Sequence, residues 1–400
     1  MAADVALPAG YASRRRINWI LAGTMYAFFY MARYNYIAAN PELTRIFGWT
    51  NTDVGVIDGV AAFVYGVSVF LNGPLADRIG GRRALLIGAA GTIACNLLFG
   101  LGYLFVSTPA AWSAAKPPHL DVPAVYAMGL SSGTIIGYFT LVWAVNFYFQ
   151  SFGALSIVKI NTPWFHILER GTFSGIFGIL IRGGLVLAFV GAPAIFAQLP
   201  WQFAFWIPAG CVAVMFVLNY LFVRNTPEDA GFPAFDTGDD SDDATAGPVD
   251  VRAVLAKVLK SPVMRIIALA SMMTGFVRRG VVDAWWPKHF VDLFGADPKH
   301  LSEFLPYKIA AWGIAIFGIT GGLILGRMSD RVFGGRRAPV IFIGFAGEAV
   351  VLLALGFMLV TGAGPFASCT CLLVLSSFVN GAHGLIGGAA SMDFGGKKAA

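Results

Sequence analysis

Long apolar runs separated by short polar connections recur along the whole chain. Each run is long enough for the roughly 20 residues that an α-helix needs to cross a hydrocarbon core. The pattern therefore predicts an all-α, polytopic membrane protein rather than a set of soluble cores. Ten spans are expected, at residues 17–38, 53–75, 84–106, 136–158, 171–194, 203–223, 263–290, 304–325, 339–361 and 367–390.

The composition supports this class. Hydrophobic residues make up 57% of the 400 residues and charged residues only 12%, whereas a soluble domain carries about 25% charged residues. The first apolar run has no A-x-A-like cleavage site, so we expect it to be retained as a span and not removed as a signal peptide.

Signatures of catalytic or metal chemistry are few. The sequence has no P-loop and no H-E-x-x-H motif, and its five histidines are scattered. The four cysteines fall inside apolar runs without a CxxC spacing. We therefore expect a protein that is not an enzyme, with no cofactor, no metal site and no nucleic-acid partner.

Basic residues fall on alternate connections, which predicts the orientation of the chain. The N-terminus and every second connection should be cytoplasmic. These segments carry Arg14, Arg15, Arg16, Arg78, Arg82, Arg83, Arg170, Arg224, Arg327, Arg331, Arg336, Arg337, Lys397 and Lys398.

A long acidic, turn-rich connection separates two halves of the chain. We predict an N-terminal bundle at residues 1–225, a cytoplasmic linker at 226–262 and a C-terminal bundle at 263–400. Within the linker, the apolar stripe of residues 251–259 indicates a helix lying at the inner membrane interface. Residues 107–135 are interpreted as an exterior insertion.

One loop motif occurs twice. GPLADRIGGRR begins at Gly73 and GRMSDRVFGGRR begins at Gly326, each after the second span of its half. A parallel repeat suits a transporter in which one half rocks against the other, and the charges would form a cytoplasmic gate; alternatively, the arginines only signal topology. The predicted gate residues are Asp77, Arg78, Arg82, Asp330, Arg331 and Arg336.

The two loops resemble the signature of the major facilitator superfamily. Further runs narrow the resemblance to the organophosphate:phosphate antiporter family, which includes glycerol-3-phosphate and hexose-phosphate transporters and related sugar-phosphate sensors. These runs are ARYNYIAANP, RNTPEDAGFP, VRRGVVDAWWP, RMSDRVFGG and DFGGKKAA.

The resemblance implies twelve helices in two six-helix bundles related by a pseudo-two-fold axis. Because DFGGKKAA matches the family's loop between helices 10 and 11, we expect this chain to lack helices 11 and 12. The family's phosphate site uses one arginine from helix 1 and one from helix 7, which match Arg33 and Arg278.

The chain also departs from the family pattern. Tyr34, Val69, Pro163 and Ala315 stand where many members carry a basic residue, a lysine, a histidine and a glutamate. These losses put the familiar phosphate substrates in question. Lys159, Arg182 and Lys308 would then supply positive charge from other walls of the cavity.

Arg33 is unusual on physical grounds alone. An arginine within a bilayer costs at least about 2.5 kcal/mol, so we expect it to face a wet cavity or a partner. Helical spacing puts Tyr26 and Tyr30 on its face of the helix. Alternatively, Arg33 snorkels to the outer headgroups.

The seventh span contains two adjacent arginines, which point about 100° apart on an α-helix. Asp283 lies four residues after Arg279 and is predicted to pair with it, which leaves Arg278 without a local carboxylate. Arg278 is therefore the expected anion ligand. Glu348 is a further candidate for charge pairing or coupling.

These observations predict a secondary active transporter that exchanges a small organic phosphate for inorganic phosphate by alternating access. The alternatives are a sugar-phosphate sensor that signals to a membrane kinase and a proton-coupled carrier of another organic anion. We expect a monomer in the cytoplasmic membrane. The predicted substrate-binding residues are Arg33, Arg278, Tyr26, Tyr30, Asn35, Tyr65, Lys159 and Arg182.

Overall fold

The structure is a computed structural model. It describes residues 8–105, 130–166, 169–238 and 260–386, without the side chains of 170–176. The predicted insertion at 107–135 and linker at 226–262 lie largely outside these residues. The stripe at 251–259 and the final DFGGKKAA lie wholly outside them, so the predictions made there stay predictions.

The chain divides into two compact units, Met1–Asp239 with Pro298–His300, and Asp240–Asp297 with Leu301–Ala400. The first unit contains six described α-helices. They are α1 (Tyr11–Phe47), α2 (Asn51–Ile79), α3 (Gly81–Leu101), α4 (Ser132–Asn161), α5 (Arg170–Gln198) and α6 (Phe203–Phe222).

The second unit opens with a span of mixed helix type. Helix α7 (Pro262–Val277) continues into a π-helix over Arg278–Trp285 and then into α8 (Trp286–Phe294). Three further helices follow, α9 (Leu305–Arg331), α10 (Arg337–Val360) and α11 (Pro365–Gly384).

The predicted spans coincide with helices in the described residues. Eight of these helices are long and apolar enough to cross a membrane. The other two spans are α1, which is more polar along its length, and the seventh, where the α-helix is only 16 residues long before the π-helix begins. A π-helix was not foreseen from the sequence.

Close helix approaches at glycines build the centre of the first unit. A Cβ at Gly184 of α5 would lie 2.9 Å from Cβ of Tyr30, and one at Gly153 of α4 would lie 2.7 Å from Cε2 of Tyr26. Only glycine permits this packing, because any larger residue would overlap α1. The two glycines therefore let α4 and α5 close on the face of α1 that carries these tyrosines.

Candidate functional site

Arg33 on α1 is enclosed by side chains from three helices and is only 6% exposed. Its Nε donates to Oε1 of Gln150 on α4 at 2.7 Å. The guanidinium carbon lies 5.1 Å from the ring centre of Tyr30, 4.5 Å from that of Tyr65 on α2 and 5.5 Å from that of Phe147 on α4. We call these five residues the arginine cage.

The other four residues of the cage are neutral. A cation–π contact contributes about 0.5–2 kcal/mol, and a hydrogen bond from a charged group contributes about 1.5–3 kcal/mol. Three such rings and one such bond are comparable to the cost of ~2.5–3.5 kcal/mol for an arginine within a bilayer. The cage therefore holds a full positive charge without using a carboxylate.

Two donor groups in the cage are left over. Nη2 of Arg33 and Nε2 of Gln150 are buried and have no hydrogen-bond partner in the described part of the chain. Buried polar groups usually find a partner. The cage can therefore accept a ligand that brings acceptor atoms.

Of the two tyrosines predicted to lie beside Arg33, only one contacts it. Tyr30 contacts the guanidinium, whereas Tyr26 lies one turn further away and packs on Tyr30 and Phe177, with ring centres 5.3 and 5.6 Å apart. The alternative that Arg33 snorkels to the headgroups is wrong, because the side chain is buried between α2 and α4.

Asn35 lies on another side of α1. Its Nδ2 donates to Oδ1 of Asn96 on α3 at 2.9 Å and to the carbonyl of Ala204 on α6 at 3.1 Å. Two residues along an α-helix turn the side chain by about 200°. Its amide joins three helices, and its predicted role in substrate binding stays a prediction.

Lys159, predicted to line the cavity, lies in the last turn of α4, where its Nζ pairs with a carboxylate oxygen of Asp77. This ion pair joins the end of α4 to the end of α2. The positive charge of Lys159, which was predicted to bind the substrate, is thus paired with a carboxylate. Arg182 on α5 is half-buried, and its proposed role in binding stays a prediction.

The π-helix gives the seventh span an ion pair that was not predicted. Nε of Arg278 donates to Oδ2 of Asp283 at 3.0 Å, and the carboxylate is only 3% exposed. The prediction that Arg278 has no local carboxylate is wrong. It assumed α-helical spacing, in which i and i+4 align, whereas a π-helix is wider and brings i and i+5 together. Arg279 is half-buried in the same segment.

Glu348 on α10 is buried, with an exposed fraction of 3%. Its Oε1 accepts a hydrogen bond of 3.0 Å from Oγ1 of Thr274 on α7. Thr274 lies one helical turn before Arg278. The carboxylate is thus tied to the seventh span by a neutral hydroxyl, and its role in coupling stays a prediction.

The two repeated loops place the same aspartate against different cations. Asp77 pairs with Lys159, whereas Oδ1 of Asp330 accepts from Nη1 of Arg337 at 2.6 Å, within its own loop. Arg82 donates its backbone N–H to Oδ1 of Asn225 at 2.7 Å. The remaining predicted gate residues, which are Arg78, Arg331 and Arg336, are exposed.

Sequence reasoning missed Gln150 and Phe147. The signal was present, because Gln150 is a polar residue in the mostly apolar run NFYFQSFGAL of the fourth span. A polar residue inside a membrane span usually faces a neighbouring helix or a cavity. The prediction weighted charged residues and therefore did not include the amide of Gln150.

Comparison with known families decides the class. Residues 22–399 match the Major Facilitator Superfamily. The chain belongs to this superfamily. Members of this superfamily are transporters and not enzymes. The chain is a multi-pass membrane protein with the superfamily's helical fold.

The curated relatives include proteins named as transporters of phosphate esters and a protein named as a membrane sensor. The glycerol-3-phosphate transporter of Bacillus subtilis (strain 168) is 29% identical over 384 residues, which cover 94% of this chain and 78% of that protein. The membrane sensor protein UhpC of Escherichia coli (strain K12) is 26% identical over 379 residues, covering 92% and 76%.

Solved structures of the Major Facilitator Superfamily share the fold. The D-xylose-proton symporter aligns with a TM-score of 0.64 at 16% identity, covering 94% of this chain and 81% of that one. A bacterial homolog of the human lysosomal transporter Spinster aligns with a TM-score of 0.61 at 13% identity, covering 93% and 75%. At these identities the likeness concerns the fold alone.

Proposed function

We propose that this protein is a secondary active transporter that exchanges a small organic phosphate for inorganic phosphate by alternating access. The observation that carries the proposal is the arginine cage, in which a buried guanidinium has neutral neighbours and an open donor. An anion supplies both the missing acceptors and the missing charge. The relatives named as glycerol-3-phosphate and hexose phosphate transporters support a phosphate ester.

In this proposal Arg278 is the second ligand of the anion. In the structure its Nε is held by Asp283, so an arriving phosphate competes with this carboxylate for the guanidinium. An arginine fork matches two phosphate oxygens, which favours a phosphate over a halide. Binding energy shared between the two halves of the chain would then let them rock around the site.

The proposed location is the cytoplasmic membrane, with the N-terminus inside the cell. Arg14, Arg15 and Arg16 precede the first span, which is the placement that the positive-inside rule favours. The gradient of inorganic phosphate would drive uptake of the organic phosphate, without a nucleotide.

The test is exchange in liposomes that contain the purified chain and are preloaded with inorganic phosphate. We expect saturable uptake of external labelled phosphate, with competition by glycerol 3-phosphate or a hexose phosphate. Unloaded liposomes should take up little, because exchange needs a counter-anion. If no phosphate compound exchanges and a pH gradient drives uptake instead, the antiport proposal is wrong and the proton-coupled alternative holds.

A matched pair of variants tests the role of the cage. Arg33→Lys keeps the positive charge but removes the fork, so exchange should be lost. Arg16→Lys makes the same replacement at an exposed residue of the same helix, and exchange should be unchanged. Equal exchange by both variants would show that the cage does not bind the transported anion.

A sensor is the second candidate, favoured by the similarity to the membrane sensor protein UhpC. A sensor would bind a sugar phosphate, as a transporter does, and then signal to a membrane kinase. Binding of labelled hexose phosphate to the purified protein, together with no exchange in liposomes, would favour the sensor.

A further inference from the structure

Gln150 is a polar side chain that no sequence argument assigned to the site. It lies on α4, is fully buried and contacts Arg33, which is 117 residues away in the chain. Fully burying an amide costs free energy unless its hydrogen-bonding groups are satisfied. Only the oxygen of this amide has a partner among the described residues.

The orientation of this amide follows from the chemistry of its partner. A guanidinium carries only donors, so the atom of Gln150 that faces Nε of Arg33 must be the oxygen. The NH₂ group then points elsewhere in the cage. Rotating the amide by 180° would put two donors against each other and so gives no alternative.

Two unpaired donors therefore belong to the two groups that share one hydrogen bond. Nη2 lies on the same edge of the guanidinium as Nε, and Nε2 is in the same amide as Oε1, so both unpaired groups are next to the bond of 2.7 Å. Neither donor can satisfy the other. A ligand that satisfies both must offer an acceptor lone pair to each, as an oxyanion with several oxygens does.

The aromatic rings restrict how such a ligand can enter. Tyr30, Tyr65 and Phe147 lie 4.5 to 5.5 Å from the guanidinium carbon and bring their ring faces to it. A ligand is thereby directed towards the edge of the guanidinium, where its open donor and the amide lie. This edge suits an oxyanion that presents two acceptor oxygens side by side.

Helix α4 is held so that this amide cannot easily turn away. Oγ of Ser151, the next residue, accepts from Nδ2 of Asn72 on α2 at 2.7 Å. One turn earlier, Nδ2 of Asn146 donates to the carbonyl of Ala32 on α1 at 3.4 Å. These bonds fix α4 against α1 and α2 on both sides of Gln150.

We infer that Gln150 is a ligand of the transported oxyanion: its Nε2 donates to one oxygen while Nη2 of Arg33 donates to another. The inference rests on the proposed function, because it takes the anion at Arg33 as given. It adds a neutral donor to the charged one of Arg33. A phosphate ester offers acceptor oxygens to both donors and a negative charge to the guanidinium, whereas a polyol offers acceptors without the charge.

The test is binding of labelled inorganic phosphate to the purified full chain and its variants. Gln150→Met keeps the length of the side chain without the amide, and Gln150→Glu keeps an acceptor for Nε of Arg33 but replaces the donor. We expect both to bind phosphate about 10- to 100-fold more weakly, since one hydrogen bond to a charged group is lost. Gln150→Asn should be intermediate.

Gln198→Glu is the matched control, because it makes the same replacement as Gln150→Glu at an exposed residue, the last one of α5. It should bind phosphate as the wild type does. If Gln150 only positioned Arg33, Gln150→Asn and Gln150→Met would weaken binding equally while Gln150→Glu retained it, which would overturn the inference. Thermal unfolding of each variant separates loss of binding from loss of fold.

The outcomes distinguish the two proposals. If the wild type binds phosphate, Arg33→Lys does not, and folded Gln150→Met binds within twofold of the wild type, the inference about Gln150 is wrong and the proposed function stands. If the wild type binds neither phosphate nor an organic phosphate, the proposed function is wrong and the inference with it.

Discussion

The two arginines proposed to bind the anion are held in opposite ways. Arg33 lies among aromatic rings and one amide, and two donors of its cage are open. Arg278 lies in a π-helix and donates to the carboxylate of Asp283 at 3.0 Å. One guanidinium is stabilised without neutralisation, and the other is paired with a negative charge from its own helix.

The difference teaches what each arginine can contribute to binding. At the Arg33 cage an anion would meet two donors that have no hydrogen-bond partner among the described residues. At Arg278 the same anion must compete with Asp283, so the net gain in free energy is smaller. We therefore expect Arg33 to determine affinity. Arg278 would exchange Asp283 for the anion, and this change of partner would couple anion binding to the seventh span.

The largest effect should come from comparing Arg33→Lys with Arg278→Lys. An ammonium cannot donate both to Gln150 and to an anion oxygen from one planar edge. Losing two charge-assisted bonds at Arg33 should weaken phosphate binding by at least about 100-fold, and Arg278→Lys by less. Labelled-phosphate binding measures both. A larger loss at Arg278 would reverse the comparison.

A second prediction removes the competitor. Asp283→Asn should destabilise the empty protein by about 1–3 kcal/mol, because it leaves Arg278 without its carboxylate, a cost reduced by the 26% exposure of the arginine side chain. The same change should tighten phosphate binding about tenfold. Thermal unfolding with and without phosphate measures both effects.

Asp292→Asn is the control for this change, since it breaks an ion pair of 2.9 Å with Lys288 in α8, an ordinary α-helix with i,i+4 spacing. Phosphate affinity should not change in this variant. Weaker phosphate binding by Asp283→Asn would mean that the carboxylate supports the site and does not compete with the anion.

The aromatic part of the cage gives a smaller effect. Tyr65→Phe retains the ring face over Arg33, so phosphate binding should stay close to that of the wild type. Tyr65→Leu removes a cation–π contact of about 1 kcal/mol and should weaken binding roughly fivefold. If Tyr65→Phe is as impaired as Tyr65→Leu, the hydroxyl and not the ring contributes to binding.

The smallest effects are expected at the repeated loops. Lys159→Met and Arg337→Met each break one ion pair whose aspartate is 66% or 63% exposed. Such pairs contribute no more than about 1 kcal/mol to stability. Thermal unfolding at low and high salt should show a small loss that disappears in high salt. A loss that persists in salt would indicate a role beyond charge.

Much of the fold could be predicted from the sequence. Burying apolar side chains in lipid is favourable, so each membrane-spanning helix is visible in the sequence as a long apolar run. Within the residues that the structure describes, all ten predicted spans coincide with helices. The repeated loops and Arg33 could also be found, since a charge in an apolar run stands out. The helix type of the seventh span could not, because the π-helix depends on packing around Arg278–Trp285 and leaves no simple periodic signal.

The sequence by itself determined the membrane class, the places of the helices and the two arginines. Only the tertiary structure decided which partner each charge found: Gln150 for Arg33, Lys159 for Asp77 and Asp283 for Arg278. The reason is that apolar runs and helical spacing are local properties of the chain. The packing of the helices brings together partners that are 82 or 117 residues apart. It also sets the width of the seventh helix, which brings Asp283 to Arg278.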